Sequence, residues 1–261
     1  MTPHSAPSSS LPSADPGARE PRPFVFWFLA AIVVPVVSLI AKIRISGEKL
    51  QPHGAYVIAP NHYSEADPLI VAVAVWRLGR PPRFMAKESL FAVPVLGWAL
   101  RVTGMVPVAR SSSSASAKQT LRASETLVEH GRGVIVYPEG TLTRDPDMWP
   151  MRGKSGAVRL ALEADLPLIP MAHWGAQAIM PRYGKFRLWP LRRPVRVLLG
   201  APVDIDDLRG KPLTNTLLNE ATTRLMNAIT ALLEQLRDEQ APVERWNPSV
   251  HGQNETGRLD P

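Results

Sequence analysis

The stretch AYVIAPNHYSEADPLIVAVAVWRL, Ala55 to Leu78, decides the fold. Its first five residues are uncharged and end at Pro60, the pattern of a short strand buried on both faces. The polar cluster NHYSEAD follows at once. Asp67-Pro68 then reads as a helix N-cap with proline at the first helical position, opening the helix PLIVAVAVWRL. Strand, polar loop and helix in direct succession are the repeating unit of an α/β domain.

The pattern continues downstream. Short apolar runs at Arg83 to Ala86, Met105 to Ala109, Gly133 to Tyr137, Leu168 to Ala172 and Val195 to Leu199 read as further strands. Helical periodicity appears in roughly Ala117 to Glu129, in Gly156 to Glu163 and in Thr214 to Leu236, the last with Leu217, Ala221, Leu225, Ile229, Leu232 and Leu236 in phase. Leu90 to Leu100 is strongly apolar but broken by Pro94 and Gly97, which suits the lining of an apolar groove or a bilayer contact. Met180 to Pro194 is basic and aromatic and reads as a hairpin facing anionic headgroups. The expected fold is therefore α/β, a central mixed sheet flanked by helices, preceded by an apolar membrane-associated segment.

That segment is FVFWFLAAIVVPVVSLIA, Phe24 to Ala41, uncharged throughout, with Arg19 and Arg22 before it and Lys42 and Arg44 after it. Eighteen helical residues span roughly 27 Å against a hydrocarbon core of roughly 30 Å, and Pro35 should kink them. A marginal span, a re-entrant hairpin and a buried core helix all fit. With basic residues on both flanks, a re-entrant segment keeps both ends on the cytoplasmic side, so the expected location is the cytoplasmic face of the plasma membrane. Residues 1–22 and 239–261 are polar and proline-containing and read as disordered tails. Between them lie a membrane-anchoring segment over 23–45 and one domain over 46–238.

The formal charge of +7 suits anionic membranes, phosphorylated metabolites or nucleic acid alike. The absence of cysteine excludes disulfides, thiolate metal sites and a cysteine acyl-enzyme.

Two loops carry candidate chemistry. His62 and Asp67 stand five positions apart at a strand exit; histidine suits proton abstraction near neutral pH, and a carboxylate on its other ring nitrogen fixes the tautomer. Five helical residues turn about 500°, so only a bend before the helix brings the two together. From spacing alone, His62 also reads as an ordinary loop histidine and Asp67 as a cap. The second loop, YPEGTLTR from Tyr137 to Arg144, again follows a strand. Gly140 allows close backbone approach, Thr141 and Thr143 offer hydroxyls, and Arg144 with Arg152 and Lys154 suits a phosphate. Alone, it also reads as a polar turn.

Taken together and in order, these blocks resemble the glycerolipid acyltransferase family that includes the 1-acylglycerol-3-phosphate acyltransferases, over roughly residues 45 to 205. NHYSEAD is similar to that family's histidine, four residues, aspartate motif; Gly104 to Arg110 (GMVPVAR) to its second, YPEGT to its third and Leu168 to Pro170 (LIP) to its fourth. The resemblance implies an acyltransferase domain over 46–238. It implies His62 as general base, Asp67 as its partner, and acceptor binding by Arg110, Glu139, Gly140 and Thr141, with Lys87 nearby. Acyl-CoA or acyl-carrier protein is the implied acyl donor and a lysophospholipid the acceptor, with membrane lipids as partners, no nucleic acid, and no metal or cofactor. Leu142 stands where the family commonly has arginine, and Arg144 is the expected substitute.

Other chemistries fit less well. A metal hydrolase built on His62, Asp67, Glu139 and His173 lacks the tight ligand spacing of zinc enzymes. No G-x-S-x-G occurs, and Met148 occupies the first glycine position of a P-loop ending at Gly153-Lys154-Ser155. A non-catalytic lipid-binding scaffold explains the basic surface and apolar segment but not the His62 and Asp67 pair. Nucleic-acid binding leaves the apolar segment without a purpose.

Overall fold

The computed structural model describes residues 20, 22–108, 125–254 and 257. Helix α1 (Phe24–Ile40) runs directly into strand β1 (Ala41–Gly47), followed by β2 (Tyr56–Pro60) and α2 (Asp67–Arg77). A short pair, β3 (Met85–Lys87) and β4 (Val106–Val108), flanks α3 (Pro94–Val102). Then come β5 (Gly133–Ile135), α4 (Gly156–Glu163), β6 (Leu168–Trp174), β7 (Arg193–Leu199) and the long α5 (Asn215–Arg237). The sheet order is β1-β7-β6-β2-β5, parallel except between β6 and β7. A bridge from Phe84 to Ile135 ties the β3–β4 pair to its edge.

The sheet is mixed and buried on both faces. Val57 and Ala59 of β2 face a core built with α4 and α5, whereas Tyr56 and Ile58 face one built with α1 and α2. This alternation explains why β2 reads as a continuous apolar run: both of its faces are covered. From β2 the sheet extends to β5 on one side and to β6 on the other. The crevice beyond the C-terminal ends of these strands is where such sheets bind ligands.

Several expectations change. One face of α1 packs on the domain: Val33, Val34 and Val37 join the core beside α2, and Trp27 meets Trp76 edge-on at 5.0 Å. Among the described residues no helix is long and apolar enough to cross a membrane. Even so, Phe24, Phe28, Ile32, Val36 and Leu39 form one exposed stripe along α1. The apolar block from Leu90 becomes a short 3₁₀ turn, Glu88–Ala92, and α3, because proline is tolerated in a first helical turn. Met180 to Arg192 is an irregular loop and not a hairpin; its backbone bonds close locally, as from Arg187 N to Ile179 O, instead of forming a ladder. Of the helix expected at Ala117 to Glu129, residues 125–129 are helical and the rest lie outside the described residues.

Described residues from both expected tails contact the domain. Residues 1–19 and 21 lie outside the described residues, but Glu20 is buried against Arg80 and Arg83 and accepts the Gly133 N–H. Beyond α5 the expected tail packs back onto the domain. Trp246 stacks on His251 at 3.6 Å, its carbonyl accepts the Arg152 N–H, and Pro248 is buried. Two rings and a proline supply apolar surface that offsets the ordering of a polar segment.

Candidate active site

Asp67 is not the N-cap expected from sequence; Ala66 occupies that position and Asp67 begins the helix proper. Its carboxylate turns back over the loop instead. Oδ2 accepts from Tyr63 N at 2.7 Å and Ser64 N at 2.8 Å, and lies 3.0 Å from His62 Nδ1. The Tyr63–Ala66 bend, closed by Asp67 N donating to Ser64 O, thus overcomes the 500° offset. Three donors thus converge on one oxygen at the helix N-terminus. Asp67 therefore holds the proton on Nδ1 and leaves His62 Nε2 as the basic nitrogen.

His62 itself is held by the second loop. Its N–H donates to Glu139 Oε1 at 3.0 Å, its carbonyl accepts from Thr143 N at 2.6 Å, and its ring stacks on Tyr137 at 4.1 Å. Its side chain keeps 16% exposure, whereas that of Asp67 has none. One candidate group thus faces solvent while its partner stays dry. Phe84 stacks behind Tyr137 and also lines an apolar groove of about 160 Å³ with Ala30, Val33, Val73 and Met105, between α1 and α2.

Glu139 sits differently from expectation. It is fully buried, with Oε2 accepting from Met151 N at 3.0 Å while Oε1 holds His62. Burial pushes its carboxyl up to about 8, against the opposing pull of the two backbone donors and Thr143. It staples the two loops together and presents no free oxygen to a ligand. Arg144 is also withdrawn: its guanidinium is buried, with Nη1 at 3.1 Å from the Tyr183 hydroxyl and Nη2 donating to Gly257 O at 2.8 Å. Thr141 Oγ1 donates to the same carbonyl at 3.3 Å. Leu142 is buried, which accounts for an apolar residue at that position.

The reachable cations lie beside Gly140, whose φ of +70° turns the backbone toward the Lys154 stem. Arg152 and Lys154 are exposed and, with Ser155, Asn219 and Pro248, line a polar cavity of about 250 Å³. Lys87 ends β3, on the small sheet bridged to β5. Arg110 lies outside the described residues.

One site residue was weighed in the sequence only as a metal ligand. His173, the histidine in the otherwise apolar β6, is fully buried behind Asp67, with Nδ1 3.8 Å from Asp67 Oδ1. Its ring nitrogens face the Tyr63 hydroxyl at 3.2 Å and Asn61 O at 3.0 Å, and the Asn61 side chain bonds the His173 backbone in both directions. Burial lowers its pKa, so it stays neutral. Its only sequence signal is one polar residue inside a buried strand. With both nitrogens engaged it is not free to act as a metal ligand, and among the described residues no group of three or more His, Asp or Glu could hold a metal ion.

A family model described as Acyltransferase matches residues 42–174, from β1 to the end of β6, and so contains both loops. The chain belongs to the acyltransferase family. Within that family it is 33% identical over 125 residues to a chloroplastic 1-acyl-sn-glycerol-3-phosphate acyltransferase of Brassica napus, covering 48% of this chain and 34% of that protein. It is 28% identical over 167 residues to the 1-acyl-sn-glycerol-3-phosphate acyltransferase of Saccharomyces cerevisiae, covering 61% and 53%. The chain thus spans about half or less of these relatives' length. The crystal structure of the 1-acyl-sn-glycerophosphate acyltransferase PlsC from Thermotoga maritima superposes with a TM-score of 0.58 at 20% identity, over 84% of this acyltransferase-family chain and 82% of that one. That likeness establishes the shared fold.

Proposed function

We propose that this chain transfers a fatty acyl group from acyl-CoA or acyl-carrier protein to the free hydroxyl of 1-acylglycerol-3-phosphate, giving phosphatidic acid. The observation that carries the reading is the His62 and Asp67 pair, joined at 3.0 Å, with Nε2 left as the base. In the reaction, Nε2 takes the hydroxyl proton as the oxygen attacks the thioester carbonyl. The tetrahedral intermediate then expels the thiolate, which recovers the proton from imidazolium as free thiol. General-base action of this kind is worth roughly 10²–10⁴-fold. The apolar groove behind Tyr137 suits an acyl chain, and Arg152 with Lys154 suits the acceptor phosphate.

The exposed stripe on α1 suits a helix lying in the membrane interface, consistent with a bilayer-borne acceptor and with the cytoplasmic face of the plasma membrane as its location. The deciding experiment incubates the purified protein with labelled acyl-CoA and a panel of lysophospholipids in detergent. Wild type acylates 1-acylglycerol-3-phosphate, and His62→Ala loses at least about 10²-fold in kcat. An inert wild type, or a His62→Ala variant with full activity, refutes the reading.

A further inference from the structure

The loop between β6 and β7 combines large exposed apolar residues with exposed positive charge. Trp189 is 80% exposed, Leu188 57% and Phe186 44%, and Lys185, Arg187 and Arg192 beside them are exposed as well. From Met180 to Arg196 the chain contains no Asp or Glu. Scattered exposed apolar residues are ordinary, but a tryptophan and a leucine side by side at a loop tip, ringed by arginines, match the two-part chemistry of an interfacial anchor.

The ends of this loop give it direction. At one end, Ser64 Oγ donates to Met180 O at 2.6 Å, Tyr183 N donates to Glu65 Oε1 at 3.0 Å, and Arg182 donates to the carbonyls of Thr143 and Asp145. Ser64 and Glu65 lie between His62 and Asp67, and Thr143 is the residue that holds the His62 carbonyl. At the other end, Arg192 N donates to Leu39 O at 3.1 Å, the last turn of α1, where Val36 and Leu39 are exposed. The loop therefore continues the apolar stripe of α1 and connects it to the catalytic motif.

We infer that residues 185–192 form a second membrane contact, selective for anionic lipid, which inserts Leu188 and Trp189 beside α1 and sets the His62 loop against the leaflet surface. Charge complementarity chooses the partner. The loop carries only cations, and a cation near an anionic leaflet gains about fivefold in binding, whereas a zwitterionic surface offers no such gain. The tryptophan supplies the amphipathic ring typical of the interface. This deepens the lysophospholipid reading and rests on it for the reason such a contact is needed.

The test is sedimentation of the full chain with phosphatidylcholine vesicles, with and without phosphatidylglycerol. Wild type binds the anionic vesicles more tightly, and salt removes the difference. Arg187→Gln/Arg192→Gln loses about 25-fold on anionic vesicles and nothing on phosphatidylcholine, at about fivefold per charge. Trp189→Ala weakens binding to both, while Trp189→Phe, which keeps an apolar ring, retains most of it. Equal thermal unfolding of the variants keeps a folding defect from imitating the result. Wild-type indifference to phosphatidylglycerol, or anionic binding unchanged in the double arginine variant, overturns the inference, as does full binding by Trp189→Ala. Turnover of detergent-dispersed acceptor separates the two readings. A chain that binds anionic vesicles as described but acylates no acceptor defeats the acyl-transfer reading alone; one that turns over normally yet ignores these substitutions on vesicles defeats this inference alone.

Discussion

Asp67 divides its two oxygens unequally. Oδ2 serves two backbone donors and the histidine, whereas Oδ1 has no hydrogen-bond partner among the described residues. Asp67→Asn keeps an oxygen for the backbone donors but removes the charge that stabilises imidazolium. We expect kcat to fall by about 10²–10⁴-fold with little change in KM, measured under saturating donor. Glu139 gives a pH prediction. Its carboxyl rises from the ordinary 4.5 to about 8 on folding, so between these values the folded state holds a proton that the unfolded state has released. Stability is greatest below about 4.5 on this account and declines as pH rises to about 8. Thermal unfolding across that window should show the decline in wild type and a flatter profile in Glu139→Gln. The His62 and Asp67 pairing was legible because the family spacing specifies it. The role of Glu139 was not, because a glutamate in a loop looks the same whether it binds a ligand or two backbone amides.

At the scale of elements, the strands and helices were legible wherever covering on both faces left an unbroken apolar run, as in β2, or helical phase left a stripe, as in α5. The placement of α1 was not legible, since uncharged residues alone do not tell a bilayer from a core and a surface. Here the helix divides: Phe26 and Val37 are buried, and the opposite stripe is exposed. Its entry is fixed by Glu20, whose carboxylate meets both Arg80 and Arg83 while Arg80 also donates to the carbonyls of Gln51, Gly54 and Gly131. Glu20→Ala takes the counter-charge from two buried guanidiniums, which keep only their carbonyl acceptors and local contacts. We expect a loss of about 3–5 kcal/mol in urea unfolding, against a small effect for a surface carboxylate such as Glu129.

For the whole molecule, described parts of the two ends that composition marks as tails contact the domain: Glu20 at one end, and Trp246, Pro248 and Gly257 at the other. Aromatic and proline content after residue 239 held the clue, but only tertiary contact reveals what those residues cover. Removing residues 239–261 deletes the Trp246 carbonyl from Arg152 and the Gly257 carbonyl from Arg144 and Thr141. Each lost bond costs about 0.5–1.5 kcal/mol, so calorimetry should show a lower midpoint for the truncated chain. Finally, α1 ends at Ile40 and β1 begins at Ala41, with no residue between them, and β1 then pairs with β7 along its whole length. The helix and the sheet edge thus form one continuous lever, and we expect a tilt imposed on α1 to pass through β7 and β6 to His173 behind Asp67. Two glycines inserted between Ile40 and Ala41 would make that lever slack: turnover of vesicle-borne acceptor should drop while turnover of detergent-dispersed acceptor persists.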